Sequence, residues 1–185
     1  MLLRPDELPG NGWKLSVERT WAIGGTPGPP FETEDQWRLR LEIGAERLDR
    51  ARANGGVVAV RSATLANPLR QIVVEVLPYA SEGDAAEAIP LLVERNRRKE
   101  TEKLVLVDET LIDDVLSAGA DVVFLEQNYL HNGLPLNSRS VLGRVGYTVF
   151  FIACQYVGGE WPWGDVKQVA LSQVQKITEI TRRFG

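Results

Sequence analysis

The clearest pattern of apolar and polar positions lies in the C-terminal third of the chain. The run from Tyr147 to Cys154 is the most apolar in the chain, which is typical of a buried strand. A loop rich in glycine and tryptophan follows from Gly158 to Gly164, and Asp165 is predicted to cap a helix that begins there. The inner face of that helix is Val166, Val169, Ala170, Val174, Ile177 and Ile180. We expect the rest of the chain to fold against this strand and helix.

Alternating apolar and polar residues predict several strands earlier in the chain. From Trp13 to Ile23 every second residue is apolar, apart from Arg19, so one face of this strand should be buried. Further strands are predicted over residues 57–63, 70–79, 104–107, 121–130, 138–144 and 147–156. The last two either run together through Gly146 or are joined there by a tight turn. Residues 131–133, with the sequence His-Asn-Gly, have the turn chemistry of a β-hairpin.

A helix is predicted over residues 33–54. Thr33 and Gln36 have the spacing of a capping box, and apolar residues at helical spacing continue towards Asn54. Alternate apolar residues from Trp37 to Ile43 would also suit a strand. This segment is therefore either one helix, which we prefer, or a strand followed by a helix.

Another helix is predicted to begin near Ser81. Pro90 should kink this helix, or mark a restart with the proline in its first turn. The residues after Val93 are mostly charged and carry no apolar stripe, so this end should project into water or fray. The acidic segment 108–118 suits either a brief helix or an irregular loop.

This order of elements, with hairpin strands interrupted by helices, indicates the α+β class. We expect a mainly antiparallel sheet flanked by helices. A chain of 185 residues with no linker-like segment is predicted to form a single domain over residues 1–185.

Composition and charge are ordinary for a soluble protein, with 44% hydrophobic and 25% charged residues. The net charge of -4 argues against nucleic-acid binding, which normally needs a basic excess. The segment from Met1 to Glu7 lacks the pattern of a signal peptide, and no apolar run is long enough to span a membrane. The single cysteine suits a reducing compartment. We therefore expect a cytoplasmic protein.

Three short segments of the sequence are similar to segments of a known group of proteins. They are Leu69–Pro78, Ala118–Asp121 and Gly143–Val149, and the similarity extends over roughly residues 57–183. In these segments the chain resembles uncharacterised actinobacterial proteins with a Mog1/PsbP-like α/β/α sandwich. The resemblance implies a binding or accessory domain, and it supplies no functional residues.

The residues that most often carry chemistry are scarce. His131 is the only histidine and belongs to a turn, so we expect it to be exposed. Cys154 is the only cysteine and ends the most apolar strand, so we expect it to fill the core. We predict no cofactor and no metal site.

Four acidic residues form the one dense group of carboxylates. They are Asp108, Glu109, Asp113 and Asp114. Carboxylates can bind divalent cations or act as an acid–base pair. Their spacing fits no EF-hand loop, so a solvated acidic turn is the preferred interpretation.

The candidate binding residues are aromatic. Trp161 and Trp163 flank Pro162 between glycines, and tryptophan is enriched at binding hot spots. Trp37 and Trp21 are predicted to share this surface. The alternative is structural: Trp163 packs on the final helix and Trp161 covers the edge of the sheet.

These observations predict a non-enzymatic binding or accessory domain. A protein partner or a second copy of the chain would bind through the tryptophan-rich loop. The alternative is a protein that binds a small molecule or lipid in a pocket between sheet and helix.

Overall fold

The computed structural model describes residues 2–22, 59–66, 69–79, 81–97, 104–112, 116 and 121–184, with backbone alone at residues 17–22, 59–64, 95 and 184. The helix or strand predicted over residues 33–54 lies outside these ranges, as does Trp37. The prediction of a single domain therefore stays a prediction.

The described part of the chain contains seven strands, two α-helices and a short 3₁₀-helix over Pro5–Glu7. The strands are β1 Lys14–Ala22, β2 Ala59–Ala66, β3 Arg70–Pro78, β4 Leu104–Ile112, β5 Asp121–His131, β6 Leu134–Val145 and β7 Thr148–Val157, and the helices are α1 Glu82–Arg97 and α2 Trp163–Phe184. The strands form one antiparallel sheet in the order β1-β2-β3-β7-β6-β5-β4. The predicted α+β class with an antiparallel sheet is confirmed.

The two helices cover opposite faces of the sheet, because β7 sends alternate side chains to each. Phe150 and Ile152 belong to the same buried cluster as Val169 of α2; we name this side the α2 face. Phe151 belongs to the cluster that contains Ala88 of α1, and this side is the α1 face. A strand covered on both faces explains why β7 is the most apolar run, and the predicted packing of the last helix is confirmed.

Two tight turns set the register of the last three strands. Asn132 and Gly133 have φ angles of 51° and 79°, as a type I′ hairpin turn between β5 and β6 requires. Gly146 has a φ of 58° and separates β6 from β7. The two segments predicted on either side of Gly146 are therefore separate strands joined by a tight turn, and they do not run together.

The end of α1 agrees only in part with the prediction. The helix includes Pro90 and continues to Arg97 without restarting at the proline. Glu94 and Arg97 at this end are exposed, as expected, but Asn96 is only 3% exposed and its carbonyl accepts a hydrogen bond of 3.1 Å from Gln127. Residues 98–103 lie outside the described ranges. Arg97 also pairs with Glu109 of β4, so side chains from the sheet hold this end in place.

The strand β4 is longer than predicted, and the expected helix or loop after Val107 is wrong for residues 108–112. These residues pair with β5, so backbone hydrogen bonding to a neighbouring strand prevails over the acidic local sequence. Leu15 of β1, expected on a buried face, is 47% exposed. The register of β1 and β2 shifts between Leu15 and Val17, and such an irregularity turns side chains away from strict alternation.

Within the ranges that the structure describes, no helix combines the length and the apolar character that crossing a bilayer requires.

Gly143 of β6 allows a close approach that no side chain would permit. A Cβ atom there would lie 2.7 Å from Val122 Cγ1, 2.8 Å from Phe150 Cζ and 2.9 Å from the carbonyl oxygen of Asp121. We expect Gly143→Ala to lower the free energy of unfolding by about 1–3 kcal/mol, because overpacking moves fixed neighbours. Urea unfolding followed by circular dichroism measures the change. Gly164→Ala is the control, since its Cβ would have nothing within 4 Å; equal losses in both variants would contradict the prediction.

Candidate binding site at the tryptophan-rich loop

The register of the sheet brings five polar or aromatic side chains into one row on the α2 face. Asp108, Asn128, Asn137, Tyr156 and Arg70 lie directly opposite one another across β4, β5, β6, β7 and β3. We call these five residues the amide row. It crosses the sheet near the Asn-Gly turn, whereas the rows farther along carry the apolar core beneath α2.

Trp161 anchors the loop that follows β7 to the sheet and to the N-terminal segment. Its ring has no exposed surface and stacks on Trp13 at a centroid distance of 5.7 Å and an interplanar angle of 20°. The guanidinium carbon of Arg70 lies 5.1 Å from the ring centroid. The indole Nε1 donates a hydrogen bond of 3.0 Å to the carbonyl of Gln155. Aromatic packing, a cation–π contact and a hydrogen bond therefore hold one side chain.

Arg139 of β6 ties the same loop to the sheet. Its side chain is 13% exposed and pairs with Glu126 at 2.8 Å and with Glu160 at 3.1 Å. It also donates a hydrogen bond to the carbonyl of Trp161, and its guanidinium carbon lies 5.1 Å from the Trp163 ring centroid. A guanidinium can satisfy several partners at once because its donors point in fixed directions.

The loop ends where α2 begins. The backbone N–H groups of Asp165 and Val166 donate to the carbonyl of Pro162 at 3.1 and 3.2 Å. The helix therefore begins at Trp163, and the prediction of Asp165 as its cap is wrong because the Pro162 carbonyl already opens the first turn. The ring of Trp163 meets Phe124 edge to face at 5.8 Å.

Hydrogen bonds orient the amides of the row. Asn128 Nδ2 donates to Asp108 Oδ1 at 2.8 Å. Asn137 Nδ2 donates to Asn128 Oδ1 at 3.0 Å and to Glu126 Oε1 at 2.9 Å. Asn137 is 4% exposed, and its Oδ1 is buried with no hydrogen-bond partner in the part of the chain described. Leaving a buried acceptor unpaired costs about 1–3 kcal/mol.

Apolar residues border this end of the sheet. Val105 and Leu130 lie opposite each other on β4 and β5, and they are 51% and 41% exposed. Leu134, the first residue after the turn, is 58% exposed. The amide row is thus flanked by the loop on one side and by exposed apolar side chains on the other.

The structure brings together three of the five predicted site residues. Trp161 is buried, Pro162 is exposed and Trp163 is half-buried. The backbone of Trp21 lies in β1, its side chain lies outside what the structure describes, and Trp37 lies outside entirely. Trp161 has a structural role, as the alternative holds, but it packs on Trp13 and Arg70 beside the central strand β7 rather than on the edge of the sheet. Binding by this loop stays a prediction, and Pro162 with the exposed edge of Trp163 is the part that a partner can reach.

Sequence reasoning missed the polar residues of the site. Asn128 and Asn137 are equally distant from the Asn-Gly turn, and so are Glu126 and Arg139. A two-residue hairpin turn pairs residues at equal distances on the two strands. The signal for both pairs was therefore present in the sequence.

Of the other chemical candidates, Asp108 alone belongs to the amide row. His131 is exposed at the turn, as predicted. Asp108 and Glu109 accept hydrogen bonds from the neighbouring residues Asn128 and Gln127, so their carboxylates lie on opposite faces of the sheet. The remaining two acids, Asp113 and Asp114, lie outside the described residues.

Cys154 lies in the core, as predicted. The side chain is fully buried on the α2 face, and this burial, with a smaller effect of Asp165, raises the pKa of the thiol well above its ordinary value. We expect no reaction with a disulfide reagent at neutral pH in the native protein and reaction of the one thiol after denaturation in guanidinium chloride. Absorbance of the released thiolate measures both, and rapid labelling of the native protein would contradict the burial.

Comparison with family models and with curated proteins finds no match to this chain. Among solved structures, the chain is similar to the extracellular domain of PknH from Mycobacterium tuberculosis. The TM-score is 0.57 at 12% sequence identity, and the match covers 96% of this chain and 93% of that one. At this identity the likeness shows a shared fold.

Proposed function

We propose that this chain is a non-enzymatic binding domain that contacts a protein partner through the outer surface of loop 158–164. The observation that carries the proposal is the way the loop is held. Trp161 and Arg139 fix it from within, while Pro162 is exposed and the Glu160 side chain is 69% exposed. A loop already fixed in its binding conformation loses little entropy on association.

The absence of catalytic activity is part of this proposal and is supported by the chemistry of the side chains. The one histidine of the chain is exposed in a turn, and the one thiol is sealed in the core. Glu126 and Glu160 both pair with Arg139, so these carboxylates have a structural role. The Mog1/PsbP-like resemblance, which stays a prediction, agrees with an accessory domain.

The cellular location is part of the same proposal. The sequence predicts a cytoplasmic protein, whereas the structural neighbour is an extracellular domain. Fractionation of the source cell, followed by detection with an antibody to this chain, distinguishes the two compartments in which a partner would be found.

The test uses a variant that changes the surface of the loop and leaves its anchors intact. Pro162→Arg adds a bulky charge at an exposed position, and Ala86→Arg adds the same charge at an exposed position of α1. We expect affinity capture from the source cell to recover a partner with the wild-type chain and Ala86→Arg, and to lose it with Pro162→Arg. Identical capture by all three proteins would show that the loop is not the contact surface.

A further inference from the structure

The N-terminal segment is attached to the fold by side chains rather than by its backbone. We call residues 2–13 the strap. Among the described residues, its one backbone–backbone hydrogen bond joins the Glu7 N–H to the Arg4 carbonyl at 3.0 Å, inside the strap itself. Trp13 Nε1 likewise donates within the strap, to the Pro9 carbonyl at 2.9 Å. Backbone pairing with the sheet begins only with β1. A segment without such pairing can open at a lower free energy than the domain as a whole.

Apolar side chains and one ion pair dock the strap on the α2 face. Leu2, Leu3 and Leu8 are buried in the same cluster as the inner face of α2. Lys176 of α2 donates to the two carboxylate oxygens of Glu7 at 2.7 and 2.5 Å, and in the described part of the chain these are the hydrogen bonds that join the strap to the rest of the fold. Release of the strap would therefore break one ion pair and uncover apolar surface of α2 and the sheet.

The strap also covers the residue that anchors the tryptophan-rich loop. Trp13 is buried and stacks on the ring of Trp161 at 5.7 Å. Without Trp13, the Trp161 ring would keep its contact with Arg70 and its hydrogen bond to the Gln155 carbonyl, but one face of the ring would be uncovered. The loop would then lose part of its attachment, so the positions of the strap and of the loop are coupled.

We propose that the strap is a releasable control element: when docked it holds loop 158–164 in one conformation, and when released it loosens that loop. The effect on a partner rests on the proposed function of the loop, whereas the coupling of strap and loop does not. A partner that prefers the fixed loop binds more tightly while the strap is docked and, by linkage, stabilises the docked strap by the same factor.

Two indole N–H groups report on the strap and the loop separately. Trp13 Nε1 donates within the strap, and Trp161 Nε1 donates to the Gln155 carbonyl at 3.0 Å. Hydrogen exchange of both is followed by NMR in the native chain, with the backbone amides of β7 as the measure of global unfolding. We expect equal opening constants for the two indole groups, at least about tenfold larger than those of β7. Opening of either group only together with β7 would overturn the proposal.

A pair of matched variants tests the coupling. Leu8→Ala weakens the docking of the strap and should raise the opening constants of both indole groups by about tenfold or more. Leu92→Ala is the control, because Leu92 is also buried but lies on the α1 face. It should speed exchange in β7 and leave both indole groups unchanged, since the strap opens from a fold that stays intact. Faster exchange of Trp13 alone in Leu8→Ala, or of both indole groups in Leu92→Ala, would overturn the proposal.

A milder variant serves if Leu8→Ala does not fold. Lys176→Gln removes the ion pair with Glu7 and should raise both opening constants by about two- to fivefold. Arg183→Gln is its control, because Arg183 pairs with Glu179 of α2 itself; equal exchange in the two variants would overturn the proposal. Pro162→Arg should leave the exchange of both indole groups unchanged, so failure of this proposal and failure of the protein-partner proposal are distinguishable.

Discussion

Trp161→Ala is expected to lower the free energy of unfolding by about 3–5 kcal/mol, as large-to-small changes of buried aromatic residues do. The indole ring is fully buried, stacks on Trp13 and lies under the guanidinium of Arg70. Removing it leaves a cavity between the N-terminal segment and the sheet, and frees the loop from its main attachment. The loss should therefore be larger than that of an isolated core residue of the same size.

Urea unfolding monitored by far-ultraviolet circular dichroism measures this loss. The matched control is Trp163→Ala in the same loop, because Trp163 is only half-buried and should lose roughly half as much or less. Equal losses for the two variants, or a loss below about 1 kcal/mol for Trp161→Ala, would show that the loop does not depend on its buried anchor.

The elements that could be predicted from the sequence are those whose pattern is local. β7 and α2 each carry an uninterrupted apolar pattern, and both lie where the sequence placed them to within a few residues. β4 was misassigned, and the contacts of the end of α1 with the sheet were missed, because the charged residues of both suggested solvent. Glu109 and Arg97 pair with each other, and only the packing of α1 on the sheet brings them together.

The contacts of the candidate site likewise divide into those that a local pattern predicts and those that depend on distant parts of the chain. The contacts between β5 and β6 could be predicted, because the Asn-Gly turn sets the pairing of Asn128 with Asn137. The other contacts depend on distant pairing: Arg70 meets Tyr156 only because β3 lies beside β7, and Trp13 meets Trp161 only after the N-terminal segment has packed on the sheet. No local pattern in the sequence indicates those contacts. The tryptophan-rich loop could therefore be predicted from the sequence, whereas the side chains that hold it in place could not.

Arg139→Met is expected to lower the free energy of unfolding by about 3 kcal/mol, because removing one partner of a largely buried ion pair leaves the other charge uncompensated. Glu126 would keep its charge at a side-chain exposure of 18%, and the Trp161 carbonyl would lose its donor. Arg144→Met on the same strand is the control, since Arg144 pairs with an Asp121 side chain that is 70% exposed, and such pairs contribute about 1 kcal/mol or less.

A double-mutant cycle separates the loss of the ion pair from the loss of packing. Adding Glu126→Leu to Arg139→Met removes the stranded charge, so the double variant should be more stable than the sum of the single losses predicts, with a coupling of at least about 1 kcal/mol. Thermal and urea unfolding of the four proteins provide the cycle. Additive losses would mean that the guanidinium acts on the loop alone, through Glu160 and the Trp161 carbonyl, and that the charge of Glu126 is satisfied by the amide of Asn137. In that case Arg139 would not couple the amide row to the loop, and the two would instead be joined through the contact of Arg70 with the Trp161 ring.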